Sequence, residues 1–169
     1  MSAWTDALRS FIEQAEALGI LVMCSGVVLN NNQRPLDPDE FRGFALADDL
    51  APLVFVNGAD TKAAQMFTFA HELAHVWLGE SGLSDVDAAS ISKQRVERWC
   101  NQVAAELLVP LRAMLEDYDQ QAHVRSECER LARVFKVSTL VMLRRMHDAG
   151  GLTSSELRAA YAAELARLR

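Results

Sequence analysis

Cysteine is scarce. Cys24, Cys100 and Cys128 are odd in number and widely spaced. They form neither a metal-ligand pattern nor a disulfide framework, which excludes a stapled secreted scaffold and points to a reducing cytoplasm. No stretch approaches the ~20 consecutive apolar residues that cross a bilayer as a helix, so no membrane partner is expected. The opening MSAWTDALRS has no basic segment leading into an apolar run and does not read as a secretory signal. Internal repeats and low-complexity tracts are missing too, which excludes solenoid and fibrous architectures. What remains is a chain of 169 residues, half of them hydrophobic, enough for one compact core or one core with a small helical annex.

The net charge of −6 conceals an asymmetry. Residues 1–121 carry 8 Lys and Arg against 18 Asp and Glu, whereas residues 122–169 carry 9 against 5. An acidic body with a basic tail implies two functional parts. The periodicity agrees. Residues 3–18 form an amphipathic pattern, with Trp4, Leu8, Phe11, Ile12 and Ala15 at helical spacing and Gly19 as the stop. The apolar run at residues 20–24 predicts a strand buried on both faces, and residues 30–35 have loop composition. Residues 41–47 and 52–56 predict two more strands joined as a hairpin around Asp48-Asp49. Asp60 or Thr61 can cap a helix over residues 62–78 that Gly79 ends. After a polar, loop-like stretch at 80–92, a second helix covers about 93–108 and halts at Pro110. Beyond Leu111 the pattern is helical to the end, with a break at Gly150-Gly151. The last helix reaches Arg169 without a terminating residue, as in a chain cut from a longer protein. The order predicts an α+β fold, with a short three-stranded sheet and its helices in a domain at 1–115 and a helical part at 116–169.

The chemistry lies in His71-Glu72-Leu73-Ala74-His75, an H-E-x-x-H sequence on a predicted helix. Residues four apart share a helix face, so both imidazoles can reach one ion, and Glu72 lies beside that face. Residues 63–78 are apolar on nearly every side, except Gln65, Thr68, His71, Glu72 and His75. At about 100° per residue these five fall in one sector of about 120°. A helix apolar all round is buried, so this one lines a polar cavity. Two core histidines satisfied only by hydrogen bonds would be a costly alternative.

A zinc ion that keeps one position open for water needs a third protein ligand. Glu97 is the best candidate, because it shares a face with Cys100, Ala104 and Leu108 and so sits within an apolar stripe. A carboxylate there needs a cation, and a salt bridge to an arginine such as Arg42 is the competing explanation. Asn101, one turn further on, can orient a ligand. Glu80, Asp85 and Asp87 compete for the third position but lie in the polar loop. In such a site the metal acidifies water and polarises a carbonyl, while Glu72 shuttles the proton to the leaving amine. Two imidazoles and a carboxylate accept manganese and other divalent ions as well as zinc. His123, Tyr118 and Arg42 are all conceivable oxyanion partners. The strand at 53–57 could offer an edge to an extended substrate.

On these residues the sequence resembles the ImmA/IrrE family of bacterial and phage metallopeptidases. The likeness rests on residues 67–79 (FTFAHELAHVWLG), on 97–110 (ERWCNQVAAELLVP) and on 131–138 (LARVFKVS), and it covers most of 41–147. Val103 and Cys100 depart from the usual Phe and Ala. The resemblance implies a zincin-like core with His71, His75 and Glu97 on one Zn2+ ion and Glu72 as the catalytic base. It further implies a specific protein substrate such as a transcriptional repressor.

Residues 128–135, the turn Lys136-Val137 and a helix capped by Ser138 read as helix-turn-helix-like, with Arg144 and Arg145 on the second helix. DNA binding by residues 126–147 is thereby conceivable. A packed pair with core Leu131, Phe135, Leu140 and Leu143 and solvated arginines is preferred, because the surplus charge is small and no basic arm flanks it. The competing account of the whole chain is a DNA-binding or repressor-binding module with a structural or sensory metal. Glu72 argues against that account, since a structural site has no use for it.

Overall fold

A computed structural model describes residues 4–29, 31–83 and 91–168. The fold is α+β, and it divides into two compact units, residues 1–104 and 105–169. The first unit begins with α1 (Trp4–Ala17), which Gly19 terminates at φ +88°, a left-handed conformation that glycine adopts without a Cβ clash. The strands β1 (Leu21–Ser25), β4 (Gly43–Leu46), β5 (Leu53–Asn57) and the two-residue β6 (Gly82–Leu83) form one sheet in the order β1-β5-β4-β6. The three expected strands are thus present, and β6 adds a fourth. β4 and β5 are antiparallel with Phe44 opposite Phe55, as the expected hairpin requires, while β1 runs parallel to β5 with Leu21 beside Leu53.

Two expectations about the strands are overturned. β1 is not buried on both faces, because it lies at the sheet edge and Leu21 and Met23 are exposed. Strand β5 offers no edge to a substrate, because both of its edges are already paired within the sheet. A third correction concerns residues expected to be loop. Within 30–35, β3 (Asn31–Pro35) is a strand that pairs antiparallel with β2 (Val27–Val28) just ahead of it. Every residue of β3 is exposed, so no apolar alternation marked it in the sequence.

Helix α2 (Lys62–Leu78) packs across β5 and β4. The Thr61 hydroxyl accepts from the Ala64 amide at its start, and Gly79 at φ +71° closes its end. Phe69 and Leu73 on its inner side join Val54, Val56, Ala15 and Ile20 in the core of this unit. Full burial of each large side chain stabilises by roughly 1.5–3 kcal/mol. Phe11 of α1 meets Phe69 edge to face at 4.8 Å. Helix α3 (Ile91–Leu108) follows.

The second unit holds α4 (Leu111–Asp117), α5 (Val124–Phe135), α6 (Thr139–Asp148) and α7 (Ser154–Leu168) around Val109, Met114, Leu131, Met142 and Met146. The turn between α5 and α6 is the one expected: Lys136 takes φ +57° and the Ser138 hydroxyl accepts from the Val141 amide. Arg145 is buried and donates to the Val109 carbonyl, to Glu106 and to Asp148. Arg144 sits 5.3 Å over the Tyr161 ring. Neither arginine is simply solvated, and Arg145 is fully committed inside its own unit.

Candidate functional site

The polar stripe of α2 is buried throughout: Gln65, Thr68, His71, Glu72 and His75 are all shielded from solvent. Its members do different work. The Gln65 amide donates to the Gly58 and Asp60 carbonyls and its oxygen accepts from Lys62, so it ties down the loop entering the helix. Thr68 and Glu72 abut Gly43 of β4, where a Cβ would come within 2.6 Å of Thr68 Cγ2 and 3.4 Å of Glu72 Cγ. Neither the helical period nor the H-E-x-x-H spacing points to Gly43; its one signal in the sequence is a glycine inside a strand pattern, which marks close approach.

The remaining two residues converge on α3. His71 Nε2 and His75 Nε2 lie 3.2 Å apart. The Glu97 carboxylate reaches both, with Oε2 3.1 Å from His71 and Oε1 3.3 Å from His75. The histidine side chains are 7% and 3% exposed and that of Glu97 is 29%, so solvent reaches the group on the Glu97 side. Helical spacing explains the approach: Cys100 and Ala104 on the same face of α3 are fully buried and hold Glu97 inward. Asn101, one turn beyond Glu97, hydrogen-bonds His71. His75 Nδ1 is buried and has no hydrogen-bond partner among the described residues.

The electrostatics favour a neutral ring at His71. Burial lowers the His71 pKa from its ordinary value; the Glu97 carboxylate opposes that shift and His75 adds to it. A neutral ring keeps a lone pair for a cation. The nearby Cys100 thiol is pushed up to about 12 by burial and by the Glu97 and Glu72 carboxylates, so it stays protonated and unreactive at neutral pH.

Two nitrogens and a carboxylate separated by 3.1–3.3 Å fit a divalent ion. Bonds of about 2.0–2.1 Å from a tetrahedral centre place neighbouring ligand atoms roughly 3.3–3.4 Å apart. Each of the other expected participants has its own surroundings. Arg42 is exposed and faces Asp60 at 3.8 Å, so it does not neutralise Glu97 as the competing explanation required. Glu80 is exposed, and Asp85 and Asp87 fall outside the described residues. Tyr118 packs against Gly151 and His123 lines a cleft of about 220 Å³, both within the second unit.

The sequence matches the family model described as Peptidase_M78, the IrrE N-terminal-like domain, over residues 15–147. The chain belongs to the Peptidase_M78 family. Membership implies metallopeptidase activity, and hence a protein or peptide substrate. No curated protein matches the chain. For a Peptidase_M78 member the His71, His75 and Glu97 group is the natural place to look for the metal, and it is the one such group of His, Cys, Asp and Glu among the described residues. Among these residues no helix is long and apolar enough to cross a membrane.

Proposed function

We propose that this chain is a zinc-dependent endopeptidase in which His71, His75 and Glu97 hold the ion and Glu72 is the general base. The observation that carries the proposal is the convergence of both Nε2 atoms and the Glu97 carboxylate within 3.1–3.3 Å of one another. A divalent ion, when bound there, supplies Lewis acidity that acidifies water and polarises a carbonyl. The rest falls to the protein. Glu72, fully buried on the same helix, takes a proton from the attacking water and returns it to the departing amine. Asn101 fixes the His71 ring so that its nitrogen stays aimed at the site. Burial excludes bulk water and strengthens each of these interactions.

The peptidase domain on this reading is residues 1–115, with 116–169 as an accessory helical part. The substrate is a specific partner protein such as a transcriptional repressor, a reading that rests on the resemblance to the ImmA/IrrE family. The commitment of Arg145 to Val109 and Glu106 weighs against DNA reading by α6.

The test combines metal content with cleavage of a candidate repressor. Glu72→Gln is expected to retain metal at wild-type occupancy and lose roughly 100-fold or more in turnover. His71→Ala is expected to lose the metal itself. Equal cleavage by wild type and Glu72→Gln removes Glu72 from the mechanism, and full occupancy in His71→Ala refutes the ligand set.

A further inference from the structure

The sheet has two faces, and only one is used by α2. Val54 and Val56 point to the helix. Strand alternation sends their neighbours the other way, in two rows across three strands. Leu21, Leu53 and Leu46 form the first row, and Met23, Phe55 and Phe44 the second. Neither row contains a polar side chain. Phe44 and Phe55 stack with centroids 5.1 Å apart, while Leu21, Met23 and Leu46 are 53%, 53% and 48% exposed. Two further leucines stand at the same end. Leu18 precedes β1 and is 75% exposed, and Leu50 precedes β5 and is 95% exposed. Leu50 is presented by a built turn, in which the Asp48 carboxylate accepts from the Leu50 and Ala51 amides, both at 2.9 Å. A solvated sheet face normally alternates to polar residues. A contiguous apolar patch marks an interaction surface.

The surroundings select the occupant. Asp39 and Glu40 before β4 and Asp48 and Asp49 after it are exposed. The unit at 1–104 carries 7 Lys and Arg against 14 Asp and Glu. Like charges oppose a second copy meeting this face with its own, and equally oppose an anionic membrane. They favour a partner with a basic rim. Three strands about 4.8 Å apart present a face roughly 10 Å wide, the diameter of one helix. Four residues of strand at about 3.3 Å each match some nine residues of helix. We propose that the sheet face turned away from α2 docks a basic amphipathic helix of a partner protein. The surface lies on the opposite side of the sheet from His71 and His75, and the proposal does not depend on the peptidase reading.

The test uses the full chain and a labelled synthetic 14-residue peptide with Leu at helical spacing and Lys elsewhere. Fluorescence anisotropy is expected to show saturable binding, and a Leu/Glu peptide of the same pattern is expected not to bind. The Leu21→Gln/Leu46→Gln double variant is expected to bind roughly tenfold more weakly or worse. Amide exchange on the wild-type chain provides a readout independent of the variant's folding, with protection expected at residues 21–25 and 43–46. The proposal is overturned by no binding by wild type, by equal binding of the Leu/Glu peptide, by protection confined to other segments, or by undiminished affinity in a folded double variant. A wild-type dimer in sedimentation that the double variant turns into a monomer also overturns it, because a second copy is then the occupant.

Discussion

Glu97 and Glu164 are both helix carboxylates held in largely apolar surroundings, and their partners decide what each can do. Glu97 faces two imidazoles at 3.1 and 3.3 Å, a set of donor atoms that one cation could share. Glu164 is buried, meets the Arg167 guanidinium through two hydrogen bonds and accepts from the Thr139 hydroxyl, and its pKa falls to about 2 from an ordinary 4.5. The direction of the linkage follows. Because the folded value is the lower one, the stabilisation by Glu164 is complete above about pH 4.5 and disappears as pH falls towards 2. Thermal melts of the helical unit's signal are expected to drop through that window, and Glu164→Gln is expected to melt lower at neutral pH with a flatter acid limb. An identical acid profile in the variant counts against this assignment. Glu97 is legible in the sequence because a charged residue inside an apolar stripe needs a reason. Glu164 was not singled out, since α7 is largely exposed and its inward face has little contrast.

At the scale of the elements, β4 and α2 approach so closely that position 43 has no room for a side chain. A Cβ on Gly43 would lie 2.6 Å from Thr68 Cγ2 and 2.7 Å from the Phe55 carbonyl oxygen, and the latter is backbone that cannot swing aside. Gly43→Ala is expected to cost about 1–3 kcal/mol in denaturant unfolding. Activity is expected to fall further than stability, because the displaced strand presses on Glu72. A variant as stable as wild type would mean that the strand yields more easily than its pairing suggests. The elements themselves were largely readable: α1, α2 with both caps, the end of α3 and three strands follow from period, capping residues and glycine. What escaped did so for physical reasons. The pair β2–β3 is too exposed to carry a pattern, β6 is two residues long, and an apolar run such as residues 20–24 reads alike whether the strand is central or at an edge.

For the molecule as a whole, burying His71, Glu72 and His75 is a cost that a cation bound there would offset. Binding to the folded chain alone raises stability by about 2.7 kcal/mol at a hundredfold excess over the dissociation constant. In a chain of this size that corresponds to roughly 5–10 °C in melting temperature. Calorimetry with zinc and then with a chelator is expected to show the shift and its reversal in wild type and neither in His71→Ala. An equal shift in that variant would place the ion elsewhere. The charge asymmetry of the chain is also explained in part: several arginines of the basic half are spent on internal partners, Arg145 on Val109 and Glu106, Arg130 on Glu127 and Asp117, and Arg167 on Glu164.

The parallel pairing of β1 with β5 sets an order of events during synthesis. β4 and β5 are close in the chain and can zip together as soon as both have left the ribosome, but β1 emerges first and its partner in the sheet among the described residues arrives 28 residues later, at Leu53. Until then Leu21-Val22-Met23-Cys24 waits as an uncharged, sticky ribbon with no lysine or proline to blunt it. The nascent chain is therefore most vulnerable to misassociation between the appearance of residue 25 and that of residue 57, and slowing translation across that interval would lengthen the exposure rather than relieve it.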